Sequence, residues 1–571
     1  MTKFRTILAV LIALFAILTL LDRFALVELL IRRTAVPLLL AGAIALAMLP
    51  CGALLRRAKH VDVPLDLLIG YPIFGTLLFL IGVVKVSAWT LVPLLVIGAI
   101  GGIGLLLKRY SDDAHAPLPF PPLDWSAFAI LVVLACAFVE AQAPPASPGE
   151  LVDHLAVPHT WALEGRAIEL PLHSHSYFPL GIASVDLLPL TLLGAMGGGI
   201  ASQFLHMFAA IAVTLLLARR TQSWLATAAI VTTPALAITA GWSLVDWPLA
   251  GHFAALYLAL EDGDRDTASA ATAAGLLTSY TFAPFAVIAW VLKRRMPKWQ
   301  VVLGIIFFAR NLILTGNPVA PFFGSDAPAV AHYRELALAD YIFEGAFLDE
   351  AIGASILTLP AFATGAVALA SIAIAIALFL LAPSARILVP FLLAPAISGA
   401  PALKRRTMAI FIGIAVVLQT FLVVWYTGRG GTFSLLAGTS EADYLRKQRP
   451  SYSAIEWLNV VLPPSARVLV VGESETYWLA RPARGGGNFD GPRMSRYLEV
   501  PTPEALHARL REDGITHVAL LTTPPATNDV RKTEERQTTL SPAAQRMLAQ
   551  LLDRYASNMT TRGTTVLFTL R

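Results

Sequence analysis

"WSAFAILVVLACAFVEAQAPPASPGELVDHLAVPH" (residues 125–159) changes character midway, and that change sets the reading of the whole chain. Up to residue 139 it is almost entirely apolar; beyond residue 140 it carries two carboxylates, Glu150 and Asp153, and two imidazoles, His154 and His159. Crossing a ~30 Å hydrocarbon layer as a helix takes about 20 mostly apolar residues. The first half therefore reads as a membrane helix and the second as the polar loop it delivers.

The same alternation runs outward in both directions. The 571 residues are 56% hydrophobic and 14% charged, against about 25% charged in a soluble protein. Before residue 142 spans are predicted near 7–22, 34–55, 63–86, 89–107 and 125–141. Others follow near 200–218, 222–240, 244–260, 268–280, 282–292, 299–313, 357–382 and 407–426, with shorter apolar pieces around 181–196 and 386–402. Allowing for pieces too short to cross alone, about 11–14 transmembrane helices are expected. The N-terminal "MTKFRTILAVLIALFAILTLLDRF" has a basic start and an apolar core but no small-x-small cleavage site, so it reads as an uncleaved first helix.

After residue 427 Arg, Glu, Asp, Pro and Gly rise to the density of a soluble domain. The expected organisation is residues 1–141 as N-terminal spans, 142–427 as a second membrane region opening with the loop 142–180, and 428–571 as a small α/β domain. In this last part "YSAIEWLNVVL" and "PEALHARLREDG" read as helices, while "ARVLVV", "ITHVALLTT" and "RGTTVLFTLR" read as strands. The glycines of "GESETYWLARPARGGG" do not make a dinucleotide-binding pattern.

Short basic loops mark the cytoplasmic side: "LLRRAKH" (54–60), "LLKRY" (106–110), "ARR" (218–220), "LKRRMPK" (292–298) and "LKRR" (403–406). The loop 142–180, with Arg166 as its one basic side chain besides histidine, then lies outside, as does the C-terminal domain. Arg23, Arg32 and Arg33 are exceptions to the pattern. The net charge of +5 belongs to helix ends and is no nucleic-acid signal. Cys51 and Cys136 sit in apolar segments and suggest neither a disulfide framework nor a metal cluster. No 20- to 50-residue repeat supports a solenoid or an inverted-repeat transporter.

The loop carries the chemistry. Ser147, Pro148 and Glu150 form a capping box, which gives Glu150 a structural task. In a helix Glu150, Asp153 and His154 share one face. Asp153 has no capping duty, so it could act as general base on an acceptor hydroxyl, with His154 orienting it or binding phosphate; the alternative is a solvated surface charge. His173 and His175 in "PLHSHSYFP" could join Asp153 or His154 around a divalent metal, but the spacing is generic, and polar contacts to a sugar or phosphate, or plain surface histidines, serve as well. Asp246, between Trp242 and Trp247, is either a second active-site acid or a helix-start acid. Asp186 and Glu140, which border apolar runs, read as structural. Arg310, at an outer helix end, calls for an anion such as a lipid phosphate, or else snorkels to headgroups.

Four stretches together, "ELVDHLAVPHTWALEGR", "SYFP", "GWSLVD" and "RNLILTGNPVAPFF", resemble bacterial GT-C-type glycosyltransferases, the polyprenyl-phosphate-sugar-dependent enzymes that include protein mannosyltransferases and aminoarabinose lipid A transferases. The soluble stretches "AIEWLNVVLPPSARVLVVGESETYWLARP" and "LREDGITHVALL" resemble the domain some members carry, so the likeness covers roughly residues 145–525. It implies a GT-C fold in a bacterial inner membrane, catalysis in the first large outer loop, and transfer of a sugar from a polyprenyl phosphate to an envelope acceptor such as a lipid-linked glycan, lipid A, a polymer or a protein. Position by position, Glu150 matches the second acid of a D-E pair, His154 the histidine, Asp246 the V-D acid, and Arg310 and Asn311 the R-N pair. Asp153 (or Glu150) would be the base, Asp246 a second acid, and Arg310, Asn311, His154, His173, His175 and Tyr177 would surround the donor phosphate. No cofactor is called for with certainty, and a divalent metal is the one candidate. Two departures stand out: Gly149 replaces the first acid of the pair, and "GLLTSYTF" places Ser279 where the family often has lysine. They keep a second reading open, an inactive relative that binds a lipid-linked glycan. A lipid or solute transporter is a third, disfavoured because the candidate acids sit at helix ends.

Overall fold

The computed structural model describes residues 31–57, 60–111, 120–322, 354–381, 385–473, 475–485, 490–521 and 540–571. The span expected near 7–22 lies outside the described residues. Five described helices are long and apolar enough to cross a bilayer: Arg33–Arg56, Val63–Val84, Ala88–Lys108, Ala183–Thr221 and Arg406–Arg429. Shorter apolar helices, among them Trp125–Glu140, Phe282–Leu292 and Val301–Thr315, complete a polytopic α-helical membrane protein.

Local chemistry moved several expected boundaries. The pieces near 181–196 and 200–218 form one element, Leu187–Thr221, interrupted at Gly194, where φ is +68°. A β-carbon is disfavoured at that angle, so glycine lets the chain turn without ending the helix. The span near 222–240 is two helices, Trp224–Val231 and Pro234–Gly241, bent by 76°. Pro234 supplies no N–H and disfavours helix in the residue before it. The span near 357–382 likewise breaks before the helix Ala366–Leu381.

Small residues let the first helices approach closely. A β-carbon on Gly52 would lie 2.0 Å from the Asp66 carbonyl oxygen, and one on Gly70 2.0 Å from that of Met48. This is the packing expected where lipid offers no hydrophobic drive and contact area must hold helices together. At the basic end of the bundle Arg56 Nε bonds Asp66 Oδ1 at 2.7 Å, and Arg219 Nη2 reaches Asp62 Oδ1 at 2.9 Å.

The C-terminal part is a five-stranded sheet in the order β2-β1-β3-β5-β4. β1 (Val468–Val471) runs parallel to β2 (Ala483–Arg484) and β3 (His517–Leu521); β5 (Thr565–Leu570) is antiparallel to β3 and to β4 (Ala556–Arg562). The strands expected at β1, β3 and β5 are present. β2 has two residues, too few for a pattern, and most of β4 is exposed and polar.

One sheet face, through Leu469, Val471 and Val518, packs on Leu498, Leu506, Leu510 and Leu551 of the covering helices. The other, through Val468, Val470 and Ala519, joins Tyr477 and Trp478 in one apolar cluster with Leu151, Leu155 and Ala156 of the loop 142–180. The loop therefore forms part of the core of the C-terminal layer. Both lie on the same side of the bundle, and Arg33, one of the three exceptions to the charge pattern, is buried there with its Nε 2.9 Å from Glu441 Oε1.

Candidate active site

The loop enters through the predicted capping box. Ser147 N donates to Glu150 Oε2 at 3.1 Å, and Glu150 N donates to Ser147 Oγ at 3.4 Å. Glu150 Oε1 also accepts from Gln203 Nε2 at 3.1 Å and from Ser243 N at 2.7 Å. Its carboxylate is fully buried and ties the loop to a membrane helix and to the segment before Asp246. Burial pushes the Glu150 carboxyl above the usual range, opposed by the N–H groups of Ser243 and Ser147. Its four bonds fill a structural role.

A π-helical turn, Glu150–His154, then presents Asp153. Its Oδ1 lies 2.6 Å from His175 Nδ1, and the two side chains keep 13% and 10% of their exposure. Burial acts to keep His175 neutral, but the Asp153 carboxylate, and after it Asp490, outweigh burial and hold the imidazole above its ordinary value. His173 differs: its Nε2 donates to the Val152 carbonyl at 2.7 Å, and burial together with the neighbouring His175 lowers it to about 4. The two imidazoles, two residues apart, are thus shifted in opposite directions. Among the described residues no three His, Cys, Asp or Glu side chains converge to hold a metal ion.

The turn carrying these histidines is clamped from two sides. From the membrane region Arg310 Nη1 donates to the Ser176 carbonyl at 2.8 Å, while Asn311 Nδ2 and Tyr280 Oη both donate to that of Tyr177. The Arg310 guanidinium also lies 5.8 Å from the Tyr177 ring centroid and 5.5 Å from that of Phe79. Tyr177 itself donates to Glu169. From the C-terminal layer Ser174 N donates to both oxygens of Asp490 at 3.0 Å, and Arg493 donates to the Pro171 carbonyl at 3.1 Å while stacking over Tyr177.

The structure therefore brings Asp153 together with His173 and His175, and Arg310 together with Asn311 and Tyr177. Asp246 is buried at the start of the helix Asp246–Asp262, and just before it the Leu244 carbonyl bonds His206 Nδ1 at 2.6 Å. Sequence reading missed Gln203, His206, Tyr280 and Asp490. The first two sit inside an apolar helix and pass for core, and the last two gain their meaning through contacts with distant parts of the chain, Tyr177 for Tyr280 and Ser174 for Asp490.

No protein-family model matches this chain, and no curated protein matches it. Several solved structures align with part of the chain at low identity. ArnT from Cupriavidus metallidurans, bound to undecaprenyl phosphate, aligns with a TM-score of 0.47 at 15% identity, covering 78% of this chain and 97% of its own. Its apo state gives 0.47 at 14% with the same coverage. The arabinofuranosyltransferase AftD from Mycobacteria gives 0.41 at 16%, covering 78% of this chain and 40% of AftD.

Proposed function

We propose that the protein is an integral-membrane glycosyltransferase that moves a sugar from a polyprenyl-phosphate donor to an envelope acceptor on the outer face of a bacterial inner membrane. The observation that carries this reading is the Asp153–His175 pair. One carboxylate oxygen lies 2.6 Å from an imidazole nitrogen, the side chain stays partly open, and the pair sits on the loop that follows the helix Trp125–Glu140. An acceptor hydroxyl delivers its proton to Asp153 as its oxygen attacks the anomeric carbon. The bond from that carbon to the phosphate oxygen breaks, and the leaving phosphate departs as an anion. His175 fixes the carboxylate, and Arg310, beside Ser176 and Tyr177, supplies the cation that a departing phosphate needs. Gly149 leaves the family's first acid position empty, and Asp153, four residues on, takes its place in this reading.

The test is envelope-glycan mass spectrometry on a strain lacking the protein, complemented with wild type or with Asp153→Asn at equal abundance. Loss of one sugar that wild type restores and the variant does not supports the reading. Restoration by Asp153→Asn removes Asp153 as base. An unchanged glycan profile favours the inactive, glycan-binding relative, for which Gly149 and Ser279 speak.

A further inference from the structure

At the end of the bundle away from the outer loop, an apolar groove of about 430 Å³ lies between the helices Arg265–Thr278 and Phe282–Leu292 and the segment leading to Val301. Ala283 and Ala286, one turn apart, open it, and Leu276, Trp290 and Val301 form its walls. The one polar atom of Trp290 is already satisfied, because its Nε1 donates to Thr272 Oγ1 at 3.0 Å. Nothing in those walls favours water, yet the volume far exceeds the ~30 Å³ share of one water molecule.

The rim is basic, and its charges divide into two sets. Lys293 pairs with Glu261 at 2.8 Å, Lys298 pairs with Asp266, and Arg265 Nη2 donates to the Met296 carbonyl at 2.8 Å. Arg294 and Arg295, which line the groove itself, are exposed and make no ion pair among the described residues. Their backbone is held in place. Arg294 N and Arg295 N close the helix end on the carbonyls of Val291 and Trp290, and Arg294 takes φ +50°, a position where glycine is the usual choice. The following segment is pinned by Lys298 N to Ser269 Oγ at 2.9 Å and by Gln300 Nε2 to Asp266 Oδ1 at 3.0 Å. Two guanidinium groups without a protein anion thus stand on a fixed turn at the mouth of an apolar groove.

We propose that this groove binds an anionic phospholipid, with one acyl chain along Ala283, Ala286 and Val287 and the phosphate between Arg294 and Arg295. Guanidinium groups pair with phosphate oxygens in a planar, two-point geometry, and a headgroup carrying its own cation sets that cation against them. Basic pockets between helices at a membrane surface select lipids on this ground. The site is separate from the outer loop and does not depend on the proposed transferase activity.

Native mass spectrometry of the full-length protein, released from detergent micelles holding equal phosphatidylglycerol and phosphatidylcholine of matched chains, tests it. Wild type is expected to retain phosphatidylglycerol over phosphatidylcholine by roughly tenfold. The double variant Arg294→Gln, Arg295→Gln should lose that preference at an unchanged unfolding midpoint. Val287→Trp, at a side chain 62% exposed and so tolerant of change, should reduce retention of both lipids by filling the groove. Equal retention of the two lipids by wild type, or a preference that survives the arginine changes, overturns the proposal. Displacement by glycerophosphate as effective as that by phosphatidylglycerol overturns the acyl-chain assignment.

Discussion

The side chain of Asp490, at the start of the helix Gly491–Leu498, makes no capping bond to its own helix and instead receives the Ser174 backbone N–H on both carboxylate oxygens, each at 3.0 Å. An aspartate before a helix ordinarily caps it. Here the side chain crosses 316 residues of sequence to hold the histidine turn. Asp490→Ala leaves a buried N–H without an acceptor and should lower stability by about 1–3 kcal/mol. Asp490→Asn keeps an acceptor oxygen and should recover most of that loss. Equal unfolding midpoints for the two variants would show that the charge, and not the bond, matters.

His175 gives stability a pH dependence whose sign is fixed. Its folded value stands above the unfolded one, so the stability it contributes is fully present below about pH 6.5 and is lost as pH rises through the folded value. The difference in unfolding midpoint between wild type and His175→Gln should therefore be larger at pH 6 than at pH 9. A difference that grows with pH instead would mean that the Asp153 contact does not charge the imidazole.

The membrane character and most of the helices were legible because their signal is local: a run of apolar residues, or a proline or glycine at its end. The capping box at Ser147 and Glu150 was legible for the same reason, and it formed. What the sequence could not show is which distant elements meet. His173 and His175 read as interchangeable, yet the Val152 carbonyl takes one and the Asp153 carboxylate takes the other. Arg310 and Asn311 read as phosphate ligands from the sequence; in the fold they hold carbonyls of the histidine turn. The face of the sheet covered by Leu151 and Leu155 was hidden because those leucines look like ordinary loop residues until β1 and β3 are placed above them.

Glu150 and Asp153, three residues apart, should separate cleanly under mutation. Glu150→Ala leaves the N–H groups of Ser147 and Ser243 and the Gln203 amide without a buried acceptor, a loss of about 3 kcal/mol or more. Asp153→Asn should shift the unfolding midpoint little and lower sugar transfer by about 10²–10⁴-fold. If Asp153→Asn instead unfolds the protein while retaining specific activity, its role is structural.

Arg310→Lys should weaken donor use, although the charge is kept. The ammonium cannot reproduce a fork that donates to Ser176 while lying over Tyr177 and Phe79. KM for a polyprenyl-phosphate sugar should rise about tenfold or more, with a smaller effect on kcat, because donor placement suffers before the acceptor's proton transfer. An unchanged KM would place Arg310 among the residues that only brace the turn.

Glu164 joins the loop 142–180 to the C-terminal layer through Arg467 at 2.9 Å and Arg484 at 2.7 Å, and this contact should fail in acid. Burial pushes the Glu164 carboxyl up, but the two arginines outweigh it and hold the group below its usual range. A depressed carboxylate contributes stability that is present above its unfolded value, about 4.3, and is lost as pH falls through the folded one. Limited proteolysis between β1 and β3 should therefore accelerate below about pH 4 in wild type. In Glu164→Gln cleavage should already be faster at neutral pH and change less with acid. Arg484 is the more buried of the two partners, so Arg484→Gln should reproduce most of this effect and Arg467→Gln little. Proteolysis that is independent of pH in wild type would show that the apolar contact of Leu151 and Leu155 with the sheet holds the layer without help from this ion pair.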